Sequence, residues 1–260
     1  MTDTGATAKD RVRAQYGSVG DAYVKSVGHA TGSDLQRMIE VAQPQPTDRM
    51  LDLATGGGHV ARVFAPHVAT VVASDLTPEI LPHAAASFAE QGLTNVSTAL
   101  VDAEDIPFPD ATFDLVTCRI APHHFPNPER FVQEAARVLA PRGRFVLIDS
   151  TVPEGRSGDF YNRFETLRDP SHLRSLSITE WQRLILGAGR ELELTETFHK
   201  RHDFADWTAR SRMSAEDRAT LERMMLDADP AIRDEHRAEV VDGRLVAFQD
   251  TKTLFLAHKP

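Results

Sequence analysis

Residues 51–61 read LDLATGGGHVA, and the fold follows from that stretch. An apolar run, MLDLAT from Met50, breaks at Gly56-Gly57-Gly58, after which HVARVFAPH carries a helical pattern. A strand, a glycine turn and a helix in that order let backbone approach a ligand. Glycine accepts positive φ, and a helix N-terminus presents unpaired N–H groups to polar or anionic atoms. Gly56 and Gly58 are therefore expected to floor a nucleotide-like site, against the simpler reading of a tight turn without ligand. Asp75 follows about 20 residues on, at the tip of TVVASD, where an acid can accept both ribose hydroxyl protons or cap the next helix. Gly56, Gly58 and Ala61 also satisfy G-x-G-x-x-A. The turn and the acid alone thus leave a dinucleotide and an adenosyl cofactor both open.

Outward from this unit the same rhythm repeats. TVVASDL is followed by the helical PEILPHAAASFAEQG, closed by Gly92; NVSTALVDA and FDLVTCRI are short apolar runs. NPERFVQEAARVLA is helical and GRFVLIDST is a fifth run. Such alternation predicts an α/β domain with a parallel sheet covered on both faces. On the N-terminal side, residues 1–10 read as a loose tail. Residues 11–42 read as helical, with Leu35, Met38, Ile39 and Val41 as an apolar face, stopped by the prolines of QPQPTDR. Beyond Thr151 the regularity breaks. VPEGRSGDFYNRFETLRDPSHLRSLS is polar with interleaved aromatics, as in a helical insertion or lid. SITEWQRLILGAG reads as a helix between a Ser177 N-cap and a Gly189 stop. ELELTETFHKRHDF alternates like a strand, and residues 206–240 read as one or two helices. TKTLFLAHKP is a last strand without plain crossover spacing. The expected organisation is an N-terminal helical cap over 1–47, a core over 48–150, a lid insertion over 151–176, and a return of 177–260 to the same core.

The composition excludes several classes. With 41% hydrophobic and 26% charged residues, the 260-residue chain matches ordinary globular proteins. Its 29 basic and 38 acidic residues give −9, which disfavours a wide basic footprint for nucleic acid. The single cysteine, Cys118, cannot form an internal disulfide and points to a reducing compartment. The start, MTDTGATAKDRVRAQYG, has no apolar signal region, and no apolar run approaches the ~20 residues of a membrane span. A cytoplasmic location is expected. No Cys cluster or helical His pair argues for a metal.

Asp52-x-Ala54-x-Gly56-x-Gly58 resembles the first motif of class I S-adenosylmethionine-dependent methyltransferases. VDAEDIPFPDATFDLVTCRIAPHHFPNPERFVQEAARVLAPRGRFVLID is similar to the later motifs of their ubiquinone/menaquinone-biosynthesis, small-molecule subgroup. The close resemblance covers about residues 48–150, and the N-terminal QYGSVGDAYVKS also looks like members of this group. Ala54 stands where many relatives have glycine. The resemblance implies a Rossmann-like, mostly parallel seven-stranded sheet with an antiparallel last strand. It also implies that Asp52, Ala54, Thr55, Gly56 and Gly58 surround the methionine and ribose of S-adenosyl-L-methionine. Asp75 would hold the ribose hydroxyls and Leu76 would pack on adenine. Asp102 and Ala103 would meet the adenine edge, and Arg119 would stand near the amino end.

Ala121-Pro122-His123-His124-Phe125 follows the fourth strand, where open α/β sheets bind ligands. His123 and His124 are candidate bases or substrate-orienting groups, with loop packing as the alternative. Asp114 is expected to tie loop to strand, and Cys118 to be packed core. Tyr16, Tyr23 and His29 in the N-terminal region, and Phe160, Tyr161, Phe164, Arg168 and His172 in the insertion, are candidates for contact with an apolar or planar acceptor. Arg168 could pair with an acidic group on that acceptor. The expected reaction moves a methyl group to a C, O or N atom of a small metabolite. In-line displacement needs orientation more than a strong base. A binding or cyclisation role without transfer, and an NAD-dependent oxidoreductase, are the alternatives. A homodimer is compatible with the sequence.

Overall fold

The computed structural model describes residues 7–17, 33–211 and 213–260. Helix α1 (Ala8–Gly17) and helix α2 (Ser33–Ala42) precede strand β1 (Arg49–Leu53). The expected loose tail is thus helical from Ala8. Thr7 and Asp10 explain it: the Thr7 hydroxyl accepts from the Asp10 N–H at 3.2 Å, and the Asp10 carboxylate accepts from the Thr7 N–H at 3.0 Å, a reciprocal cap. Then come α3 (His59–Phe64), β2 (Thr70–Asp75), α4 (Leu81–Glu90), β3 (Val96–Leu100), β4 (Phe113–Arg119), α5 (Pro128–Val138) and β5 (Leu139–Thr151). Each matches a segment read from the sequence. α5 is capped by Asn127, whose side chain accepts from the Arg130 N–H, and Pro128 at its first position suits the helix start.

After Thr151 run α6 (Arg156–Arg168), α7 (Ile178–Gly187), β6 (Glu191–Asp203), α8 (Phe204–Arg210), α9 (Ala215–Leu226), α10 (Pro230–Glu235), β7 (Glu239–Val241) and β8 (Arg244–His258). α7 starts on a full capping box between Ser177 and Glu180. The stretch expected to hold one or two helices holds three helical pieces and β7. The seven-stranded sheet gains this short eighth strand. Asp242 and Gly243 both take positive φ (49° and 74°) and fold β7 back on β8, the hairpin chemistry of Asp-Gly.

The strand order is β3-β2-β1-β4-β5-β8-β6, with β7 beside β8. The pairings among β1 to β5 are parallel, whereas β8 is antiparallel to both β5 and β6. One face of the sheet packs Leu51, Val116, Phe145 and Phe255 against Phe131 and Trp181 of α5 and α7. The other packs Met50, Val71, Leu115 and Leu254 against Met38, Phe64 and Phe88 of α2, α3 and α4. A third cluster joins α6 to α8, α9 and the start of β8 through Phe160, Phe164, Trp207, Leu221 and Phe248. Two layers of helix therefore leave the carboxyl ends of β1 to β4 open along one edge, where the chain reverses order and a ligand cleft forms.

Candidate active site

The cleft is built on the turn after β1. Ala54 and Gly56 take positive φ (53° and 52°). The Thr55 N–H donates to the Ser74 carbonyl at 2.8 Å, and the Gly56 N–H donates to Asp75 Oδ2 at 3.0 Å. The turn is thereby stitched to the tip of β2. Asp75 Oδ1 accepts from the Thr77 N–H at 2.9 Å. A carboxylate offers about four acceptor positions, so both oxygens keep capacity for further donors such as a vicinal diol. Burial raises the Asp75 pKa, and the Thr77 and Gly56 N–H groups counter that rise.

Asp52 lies at the bottom of the cleft, 1% exposed. It accepts from the Thr55 hydroxyl at 2.6 Å and, through its other oxygen, from the Thr117 hydroxyl at 2.7 Å. Burial pushes its carboxyl up to about 6, against the pull of those hydrogen bonds and of the Arg119 charge. Arg119 ends β4 on the cleft wall, where its guanidinium donates to Asp34 of α2 at 2.7 Å.

Leu76, Ile80, Val101 and Ala103 give the cleft an apolar lining. Asp102, on the rim, accepts from Lys9 of α1 at 2.5 Å, and Lys9 also pairs with Glu104 at 2.6 Å. Val12 of α1 lines the cleft beside Lys9.

The structure therefore brings Asp52, Ala54, Thr55, Gly56, Asp75, Leu76, Asp102, Ala103 and Arg119 to one cleft. Gly58 is absent from its wall. A Cβ there would stand 2.5 Å from the Phe88 ring at φ +77°, so this glycine serves the close approach of α3 to α4 instead of the ligand floor.

The histidines divide. His124 lines the cleft, and its Nδ1–H donates to the Ser171 carbonyl at 3.0 Å. Burial and the neighbouring His123 lower its pKa to about 4. His123 is not on that wall; its Nδ1 lies 2.6 Å from Asp149 Oδ1 at the end of β5. Asp149 is fully buried, and its Oδ2 has no hydrogen-bond partner among the described residues. The His172 ring lies tilted beside that of His123, with centroids 5.3 Å apart, and its Nε2 donates to Asn162.

The insertion residues lie elsewhere. Tyr161 and Phe164 are buried in the third cluster, where the Tyr161 hydroxyl donates to Glu165 at 2.8 Å and to Asp250 at 3.1 Å. Arg168 pairs with Glu165 at 2.9 Å and stacks over Trp207. Phe160 belongs to the same cluster. Amphipathic helix packing accounts for the aromatics of this segment, and none of them reaches the cleft. Tyr23 and His29 lie outside the described residues, as does the side chain of Tyr16.

Sequence reasoning missed Lys9, Val12, Asp34 and Thr117. Thr117 had a signal: on adjacent parallel strands it faces the same side as Asp52. Lys9, Val12 and Asp34 arrive from helices distant in sequence, and nothing local marks them.

A family model described as a methyltransferase domain matches residues 51–147. A solved protein from Bacillus halodurans, BH2331, superposes with TM-score 0.86 at 41% identity, over 88% of this chain and 100% of that one. The chain belongs to the class I S-adenosylmethionine-dependent methyltransferases. The chain is also 44% identical over 154 residues to YcgJ of Bacillus subtilis, named an uncharacterized methyltransferase; the match covers 59% of this chain and 61% of YcgJ. It is 36% identical over 136 residues to the demethylmenaquinone methyltransferase of Thermus thermophilus, covering 50% of this chain and 61% of that enzyme. The alignment thus spans somewhat under two thirds of these two relatives. Among the described residues, no helix is long and apolar enough to cross a membrane.

Proposed function

We propose that the cleft binds S-adenosyl-L-methionine and that the enzyme moves its methyl group to a C, O or N atom of a small-molecule acceptor. The observation that carries this reading is the hydrogen bond from the Gly56 N–H to Asp75. It sets the glycine turn and the strand-tip carboxylate on one ligand space, with acceptor capacity left for two ribose hydroxyls. The rest of the donor set fits the same group. The Asp52 carboxyl offers a negative charge for an ammonium, and the Leu76–Ile80–Val101–Ala103 wall offers an apolar slot for adenine.

When bound, the cofactor supplies an activated methyl and a neutral thioether leaving group. The protein's own task is to orient and to exclude water. Ile120, Ala121 and Phe125 close the strand-four side of the cleft with apolar surface. Of the two histidines only His124 faces the cleft, whereas His123 is turned to Asp149 behind the loop. The His123 Nδ1–H donates to Asp149 and fixes the ring beneath the loop after β4. His124, kept neutral by burial and held by the Ser171 carbonyl through Nδ1, is the ring that stands beside a bound acceptor. Calorimetry with S-adenosylhomocysteine tests the reading. One site with a micromolar Kd is expected, with no fluorescence change on titrating NADH. Absence of S-adenosylhomocysteine binding to well-folded protein would overturn it.

A further inference from the structure

β1 and β4 run side by side in parallel, and Asp52 stands opposite Thr117 in their register. The row continues to Ala73 of β2 on one flank and to Val146 of β5 on the other. Asp52 and Thr117 are thus a polar pair between apolar neighbours, on the sheet face that packs against α2, α3 and α4. Both are buried. Valine has the branching and nearly the shape of threonine, so packing alone does not call for a hydroxyl at 117.

The Thr117 hydroxyl donates to Asp52 Oδ1 at 2.7 Å, and the Thr55 hydroxyl donates to Oδ2 at 2.6 Å. The Ala61 N–H adds a third hydrogen bond. A carboxylate has about four acceptor positions, so these donors leave one for a donor in the cleft. The two hydroxyls grip opposite oxygens from different elements, Thr55 from the glycine turn and Thr117 from β4. Rotating the carboxyl group would break one of them, so its orientation is fixed. Burial raises the carboxyl to about 6, while the hydroxyls and the Arg119 charge pull it down. Arg119, on the same face of β4, is itself paired with Asp34 of α2 at 2.7 Å. Asp75 at the tip of β2, His59 at the start of α3 and His124 line the same cleft, and burial keeps the neighbouring Cys118 a neutral thiol. A buried carboxylate costs the empty protein stability, and a cation in the cleft offsets that cost.

We propose that Thr117 is a positioning residue for the cofactor, its hydroxyl holding the Asp52 carboxylate turned to the α-ammonium of S-adenosyl-L-methionine. It acts through Asp52, because Thr117 itself does not line the cleft. The proposal rests on the cofactor reading and adds that the amino-acid end of the ligand, not its adenosine, depends on residue 117.

The test titrates the full chain with two ligands by calorimetry, from about pH 5 to about pH 8, a range that spans the carboxyl's titration. One is S-adenosylhomocysteine. The other is 5′-methylthioadenosine, which keeps the adenosine and the thioether but lacks the amino-acid end. Asp75 meets the ribose of both, so the ratio of the two affinities cancels its titration. His59, His124 and Arg119 are the same in parent and variant. In the parent the ratio is expected to favour S-adenosylhomocysteine by roughly tenfold or more at neutral pH and to fall as the pH drops through about 6. Thr117→Val removes a donor to the charged form and should move this acid limb up by about one pH unit. At a pH of about 6 the ionised fraction then drops from about a half to about a tenth, and the ratio falls roughly fivefold. Binding of 5′-methylthioadenosine should stay within about twofold of the parent, which also reports that the variant is folded. Thr117→Ser keeps the hydroxyl and should restore ratio and limb. Thr117→Ala should repeat the loss and guards against a packing effect of valine. In ligand-free protein, stability should decline with rising pH until about 6 in the parent, and further up in Thr117→Val, because the folded carboxyl keeps its proton longer. A ratio and limb unchanged in Thr117→Val, an equal loss for both ligands, or a loss that serine does not restore overturns the proposal. A parent that binds neither ligand sinks the cofactor reading and the proposal with it. A parent that binds both, with a ratio blind to residue 117, sinks the proposal alone.

Discussion

Replacing Gly58 by alanine separates packing from ligand contact in the glycine turn. Gly58 precedes α3 at φ +77°, and an added Cβ would stand 2.5 Å and 2.6 Å from two carbons of the Phe88 ring. The left-handed backbone costs a residue with a Cβ about 1–2 kcal/mol. Phe88 is 3% exposed within the core beside α2, α3 and α4, so its ring cannot swing to solvent. Forcing a methyl against it adds about 1–3 kcal/mol of overpacking. The expected loss is thus about 2–5 kcal/mol, read by urea denaturation. Phe88→Leu in the Gly58→Ala background should recover the overpacking part but not the backbone part. The double-mutant cycle should then give a coupling of about 1–3 kcal/mol. Because Gly58 does not line the cleft, the folded variant should bind S-adenosylhomocysteine within a few-fold of the parent. Additive effects of the two substitutions, or a lost affinity with unchanged stability, would refute the reasoning and return Gly58 to the ligand floor.

The buried Asp52 makes ligand-free stability depend on pH in a direction opposite to most carboxylates. Its pKa rises on folding from 3.8 to about 6. The native state therefore holds the proton longer, and this group's contribution declines as pH climbs from about 4 to 6, by roughly 3 kcal/mol, then stays flat. Asp52→Asn should remove that slope, so denaturation across this range should show the variant gaining on the parent as pH rises. Asp75→Asn leaves the strand tip one acceptor instead of a carboxylate and should weaken S-adenosylhomocysteine by about 1.5–3 kcal/mol, or roughly ten- to a hundredfold, in calorimetry. Unchanged affinity would mean that the carboxylate faces another ligand.

The parallel half of the sheet was legible because buried strands, glycine stops and helix caps are local signals. MLDLAT, TVVASD and FDLVTCR each became a strand, and Asn127 and Ser177 each became a cap. The acids at the strand tips were legible for the same reason, since strand ends place Asp52, Asp75 and Asp102 on one edge. The rest depends on pairings that sequence does not display. α1 is too polar to announce itself as a cleft wall, yet the Lys9–Asp102 and Lys9–Glu104 ion pairs bring it there. The aromatics of α6 suit a lid or a core equally well. What decides is Trp207, which stacks on Phe164, and Phe248, which meets it edge-on, both forty or more residues away. The β7–β8 hairpin carried a readable Asp-Gly turn inside a segment otherwise dominated by helix-forming residues.

A crystal structure of the complex with S-adenosylhomocysteine is the most direct measurement. Both ribose hydroxyls are expected within hydrogen-bond distance of Asp75, adenine against Leu76 and Ala103, and the amino-acid end beside Asp52. Density for the adenosine moiety in any other cavity, or a ribose with no contact to Asp75, would contradict it.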